Sequence, residues 1–122
     1  MAKILVIEPD EAVRTTICKA LSEAGHETFE VVGAGQALLH LEMGLPDLVL
    51  TELYMEGMDG IELIRVTRRK WPHLPVVTMT KGARPGASNT IEVARLLGAS
   101  AFLDKPIADG RLVETLELAL AS

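Results

Sequence analysis

Between Val49 and Gly60 the chain reads VLTELYMEGMDG: an apolar run, one carboxylate at its end, a loop containing glycine, and the opening of a helix. The run, read as a strand over Asp47 to Thr51, is almost wholly apolar, which suits the middle of a sheet covered on both faces. Glu52 then stands at the carboxyl end of that strand, the edge where open parallel sheets place their ligand chemistry. Three other segments repeat the pattern of apolar run and polar tip: ILVIEPD (Ile4 to Asp10), PVVTMTKG (Pro75 to Gly82) and AFLDKP (Ala101 to Pro106).

The segments between these runs read as helices. Asp10 is placed to cap a helix through about Ala24, with Val13, Ile17, Ala20, Leu21 and Ala24 at helical spacing and Gly25 as its stop. His26 to Val32 reads as a second strand and Gly33 to Gly35 as a break. Ala37, Leu38 and Leu41 mark a short helix ending by Gly44, on which His40 is expected to be solvated. The third helix opens at Asp59-Gly60-Ile61, buries Ile61, Leu63 and Ile64, and carries Arg65, Arg68, Arg69 and Lys70 toward its C-terminus, where the helix dipole favours cations. Trp71-Pro72 ends it, with Trp71 expected as a partly exposed packing residue. Pro75 to Met79 is the fourth strand, and Thr80 to Ser88 a loop expected to be mobile. Asn89 with Glu92 matches a capping box for a helix to Leu97, stopped by Gly98. Ala101 to Leu103 is the fifth strand. A last helix begins near Asp109, with Leu112, Val113, Leu116 and Leu120 at helical spacing.

Strand and helix alternate five times, without a linker or an internal repeat. That order implies an α/β domain over residues 1 to 122, a parallel sheet with helices on both faces and right-handed crossovers. Composition agrees: 122 residues with 48% hydrophobic and 24% charged content can bury a core, and 3% aromatics makes that core aliphatic. The net charge of −5 argues against nucleic-acid or anionic-membrane binding. No apolar run is long enough to span a bilayer, the N-terminus lacks a signal-peptide core, and a lone Cys18 fits a reducing compartment, so a cytoplasmic location is expected.

The pieces ILVIEPDEAVR, LPDLVLTELYMEGMDGIELI, LPVVTMT and GASAFLDKPI, in this order, resemble the receiver domain of response regulators, the CheY-like phosphoacceptor module of two-component signalling. The resemblance covers essentially the whole chain. It implies a flavodoxin-like (βα)5 three-layer sandwich with strand order 2-1-3-4-5. It also implies an acidic pocket that holds Mg²⁺ and an acceptor aspartate after the third strand. By position, Glu8 and Asp10 fall in the acidic pocket, Glu52 at the phosphoacceptor, and Thr80 and Lys105 at the two phosphate-binding positions. Pro106 completes the Lys-Pro pair, for which a cis peptide bond is expected, and Phe102 falls at an aromatic switch position. The implied partners are proteins, a histidine kinase or an output domain, met through the fourth helix, fifth strand and fifth helix, with a homodimer as a further option.

The departures from the family pattern fall on the chemistry. Pro9 stands at the second acidic position, Glu52 where the family has Asp, Glu56 where it usually has Pro, and Lys81 where it has a small residue. The loop before the fourth helix reads as a few residues longer. Mg²⁺ demands near-octahedral oxygen geometry, and phosphoryl transfer depends on in-line placement, where a shift of about 1 Å costs on the order of a hundredfold. No metal or other cofactor is therefore expected; Glu8, Asp10 and Glu52 are the carboxylates Mg²⁺ would have to use. The expected function is a phosphate-independent, non-enzymatic protein-binding receiver in which Glu52 pairs with Lys105 near Thr80. Glu52 acts there either as a built-in partial mimic of the phosphoryl group or as a degenerate site that only salt-bridges the lysine. One alternative is a receiver still phosphorylated with Mg²⁺. Another is a carboxylate-based phosphohydrolase, for which the chain supplies no cap to exclude water. A flavodoxin is disfavoured, because Ile-Glu-Pro-Asp-Glu would repel a phosphate rather than cradle it.

Overall fold

Five parallel strands lie in the order β2-β1-β3-β4-β5 in a computed structural model that describes residues 1–81 and 86–122, with the side chains of residues 87 and 88 also outside the description. In chain order the elements are β1 (Lys3–Ile7), α1 (Glu11–Glu23), β2 (Glu27–Val31), α2 (Ala34–Met43), β3 (Leu48–Glu52), α3 (Gly60–Lys70), β4 (Val76–Thr80), α4 (Ala87–Leu96), β5 (Ala101–Asp104) and α5 (Asp109–Ala121). This is the flavodoxin-like topology expected from the sequence.

Successive side chains of a strand point to opposite faces, so each strand feeds two cores. Ile4, Val6, Leu50, Met79 and Leu103 pack with Ile17 and Leu21 of α1 and Leu112 and Leu116 of α5. Leu5, Ile7, Val49 and Val76 pack on the other face with Leu41 of α2, Leu63 and Ile64 of α3, and Ala94 of α4. Fully burying one such side chain contributes roughly 1.5–3 kcal/mol, so these two layers fix the sheet far more firmly than any single polar contact.

Register aligns the carboxyl edge of the sheet. Ile7 is opposite Thr51, Glu52 opposite Met79, and Thr80 opposite Asp104. The ends of β1, β3, β4 and β5 therefore finish level. Asp10 caps α1 by accepting from the Val13 amide at 3.1 Å, and Asp59 caps α3 by accepting from Glu62 at 3.0 Å. Gly60 is required by close packing: a Cβ there would lie 2.7 Å from both the Glu52 carbonyl oxygen and the Leu53 Cα. The first turn of α3 thus rests directly on the end of β3. Its own amide donates to the Leu53 carbonyl at 2.8 Å.

Several local expectations are corrected. β3 runs one residue further, so Glu52 belongs to the strand itself. Gly35 lies inside α2, and the break before it is Gly33 alone. α4 starts before Asn89, after Gly86 in the left-handed region at φ 79°, so Asn89 is no cap. Glycine enters that conformation without a Cβ penalty, and the Thr90 hydroxyl donates to the Gly86 carbonyl at 3.2 Å. Glu92, freed of a capping role, pairs with Arg95 instead. His40 is half-buried rather than solvated, its ring centroid 5.2 Å from that of Phe29 on the edge strand β2. Most of the longer loop before α4, residues 82–85, lies outside the described residues, and so does the expectation of mobility there. Trp71 is partly buried against the second core, with the Lys70 amine 5.1 Å from its ring centroid. Cys18 is free and buried; burial, with the charge of Glu30 behind it, raises its thiol pKa and leaves it a small hydrophobe. Among the described residues no helix is long and apolar enough to cross a membrane.

Candidate functional site

Glu8, Glu52 and Lys105 meet at the carboxyl edge of the sheet. The Lys105 ammonium donates to Oε1 of Glu8 and, at 2.5 Å, to Oε1 of Glu52. The side chains are 10%, 3% and 9% exposed for Lys105, Glu8 and Glu52, so water screens little of the attraction. The remaining carboxylate oxygens are engaged as well: Glu8 Oε2 accepts from the Asp10 amide and Glu52 Oε2 from the Tyr54 amide, both at 3.0 Å.

Each residue is delivered by its strand. Glu8 follows β1 and donates its amide to the Val31 carbonyl at 3.2 Å; Lys105 follows β5 and donates its amide to the Thr80 carbonyl at 2.9 Å. The Lys105-Pro106 peptide bond is cis, as expected. Two carboxylates surround one ammonium. Burial of the ammonium disfavours its charge, but the hydrogen bonds to Glu52 and Glu8 and their charges outweigh that, and the Lys105 pKa is raised above its ordinary 10.5.

The remaining sequence candidates fall into two groups. Thr80 is buried at the end of β4 and lines a cleft of about 310 Å³ together with Glu8, Asp10, Glu52, Lys81 and Lys105. Asp10 is exposed, and its carboxylate is spent on the α1 cap rather than on Lys105. Phe102 is half-buried in the middle of β5, opposite Thr78, and does not line this cleft. Pro106 is exposed and lines a neighbouring apolar groove with Val13, Ile17 and Ile107.

Two contributors escaped the sequence reading. Arg14 donates through Nη1 to the Glu8 carbonyl at 2.7 Å and through Nε to Glu30 at 3.1 Å, pinning the end of β1 to α1 and β2. Its place one turn after the Asp10 cap was the available signal, since residues four apart share a helix face. Tyr54 acts through its backbone amide, which no side-chain pattern reveals.

The residues present do not fit the Mg²⁺ that the resemblance implies. That ion needs oxygens in near-octahedral array at about 2.0–2.1 Å. Here an ammonium already sits between Glu8 and Glu52, Pro9 offers no carboxylate, and Asp10 is committed to its cap. Among the described residues no group of three or more His, Cys, Asp or Glu side chains is placed to hold a metal.

Comparison with known proteins agrees with the geometry. A sequence profile described as the response regulator receiver domain matches residues 4–117. The chain is 34% identical over 120 residues to the KDP operon transcriptional regulatory protein KdpE of Escherichia coli, covering 98% of this chain and 52% of that protein. It is 36% identical over 113 residues to the response regulator protein FleR of Pseudomonas aeruginosa, covering 93% of this chain and 23% of that protein. The chain thus spans about half or less of these curated relatives. Among solved structures, the receiver domain of NtrX from Brucella abortus superposes with a TM-score of 0.91 at 31% identity, covering 98% of both chains. CheY4 of Vibrio cholerae, at 23% identity and a TM-score of 0.88, shares the fold. Receiver domains as a class are signalling modules that bind Mg²⁺ at their phosphorylation site and meet histidine kinases and output domains. With the sheet order, the matched profile and these relatives in agreement, the chain belongs to the receiver-domain family of two-component response regulators.

Proposed function

We propose that this receiver is a protein-binding signalling module that works without phosphoryl transfer, with Glu52 standing where the family carries its acceptor. The observation that supports this most is the buried Glu8–Lys105–Glu52 cluster. The Glu52 carboxylate already holds the lysine that would otherwise meet a phosphoryl oxygen. It is one methylene longer than aspartate, so its negative charge reaches part of the way toward where those oxygens would lie. Thr80 and Lys105 then respond to a permanent charge instead of a transient one.

The partner surface proposed from the family resemblance is α4, β5 and α5, for a kinase, an output domain or a second copy. Most apolar residues of these helices fill the core. Val93, Leu96 and Leu118 remain 41%, 70% and 64% exposed and support a contact there.

Intact-mass measurement after treatment with acetyl phosphate and Mg²⁺ tests the proposal. The unaltered protein is expected to gain no phosphate, and Glu52→Asp alone little, because Pro9 still lacks its carboxylate. The double change Pro9→Asp with Glu52→Asp is the variant expected to gain it. Stoichiometric, Mg²⁺-dependent phosphate on the unaltered protein would establish the alternative, a receiver that is still phosphorylated.

A further inference from the structure

A second cavity of about 700 Å³ opens beside the Lys105 cluster, between the β2–α2 junction and the β3–α3 loop. Pro9, Val32, Tyr54 and Met55 give it apolar surface, and Glu56 and Asp59 give it carboxylates. Val32 is 46% exposed, one of the large aliphatic side chains left outside the core. No lysine or arginine lines the cavity among the described residues. Of the cations nearby, Arg14 is held by the Glu8 carbonyl and Glu30 and Lys105 by Glu8 and Glu52, while Lys81 is exposed and lines the adjoining cleft rather than this one. Gly33, at the start of α2, also lines it. Asp59 caps α3, so two helix N-termini meet this rim; each carries roughly half a positive charge at most, which the two carboxylates together still outweigh.

We propose that this groove docks a basic, partly apolar segment of a partner protein, one that sets an arginine or lysine beside an aliphatic side chain. Charge complementarity selects that occupant. A rim of acid without internal counterions repels acidic partners and steers cationic ones, while the apolar surface from Val32 to Met55 needs an aliphatic side chain to cover it. Glu56 is the key residue. It is exposed, forms no ion pair among the described residues, and stands where receivers usually have Pro. The groove also touches the Glu52 site. Pro9 and Tyr54 line both cavities, and the Tyr54 amide holds Glu52 Oε2. A docked segment therefore bears on the loop that orients Glu52. The inference rests on reading the domain as a protein-binding module and names the chemistry of one partner.

The test is an NMR titration of the ¹⁵N-labelled protein with a panel of capped heptapeptides carrying two arginines and two leucines in different orders. Counterparts with glutamate in place of each arginine serve as controls. At least one basic peptide is expected to saturate below millimolar concentration, with the amide shifts centred on Val32, Tyr54 and Met55. Glu56→Lys, an exposed loop change, is expected to weaken it roughly threefold or more, since reversing a rim charge turns an attraction into a repulsion. The inference is overturned by a panel that never saturates, by shifts confined to α4 and α5, by equal binding of the acidic counterparts, or by indifference to Glu56→Lys. Phosphate gained from acetyl phosphate would instead overturn the phosphate-independent reading and leave the groove standing, so the two failures are distinct.

Discussion

Lys105 with its two glutamates and Arg95 with Glu92 are built from the same chemistry, a cation hydrogen-bonded to carboxylate. Their surroundings differ. At the sheet edge the three side chains are 10%, 3% and 9% exposed, whereas on α4 Arg95 and Glu92 are 65% and 54% exposed. The α4 pair joins neighbours one helical turn apart. The edge cluster joins residues 97 and 53 positions apart, brought together only by the finished sheet. An exposed pair can be lost to water at little cost, because solvent takes over both charges. A buried cluster has no such substitute: remove the cation and two carboxylates face one another with nothing between them.

The largest effect expected from this contrast is that of Lys105→Met. The change keeps an unbranched apolar stem of similar length, so what is lost is the charge. Breaking a buried ion pair by removing one partner costs about 3–5 kcal/mol, and that loss is expected in urea denaturation at neutral pH. Glu52→Gln is expected to cost less, about 1–3 kcal/mol, because Glu8 still balances the ammonium one to one. If Lys105→Met left the urea midpoint unchanged, burial would not be what sets the edge cluster apart.

The contrast also explains what the sequence could and could not disclose. Apolar runs such as ILVI and the alternation of strand and helix were legible, because hydrophobic periodicity reflects burial directly. Lys105 and Glu52 were legible as a pair through family position. The bridging role of Glu8 was not, because one ammonium reaching two carboxylates depends on β1, β3 and β5 ending level. The start of α4 was misread for a local reason. Asn89 and Glu92 satisfy a capping pattern, but Gly86 turns the chain into the helix earlier. His40 was misread for a tertiary one, the packing of α2 over Phe29 of β2. Patterns disclose what an element buries on its own; they miss what two elements decide together.

A second prediction concerns alkaline pH and is smaller than the loss of Lys105 itself. The folded-state pKa of Lys105 is raised above 10.5, its ordinary value. The folded protein therefore holds this proton more tightly than the unfolded chain does. Its contribution to stability is fully present below the unfolded-state pKa and is lost as pH rises through the folded value. Urea midpoints measured above pH 10 are expected to fall more steeply for the unaltered protein than for Lys105→Met, which has no such proton to lose. Parallel slopes for the two proteins would mean that the ion cluster adds nothing on this limb.

The smallest effect is reserved for Arg95→Ala, and it separates an interaction that exists from one that stabilises. Arg95 bonds Glu92 through Nε at 3.0 Å and Nη2 at 2.5 Å, and this hydrogen bonding holds the Glu92 carboxyl below its ordinary pKa. Removing the guanidinium is expected to return Glu92 to the ordinary carboxylate range, visible as a shifted side-chain titration by NMR. The urea midpoint is expected to move little, because the small stabilisation that the lowered carboxyl pKa implies at an exposed site is offset by alanine, the strongest helix former. The titration and the midpoint must part company for the contrast to hold. Were the midpoint to drop as far as it does for Lys105→Met, an exposed pair would be acting like a buried one, and burial would lose its place as the property that distinguishes the receiver's functional edge from its surface.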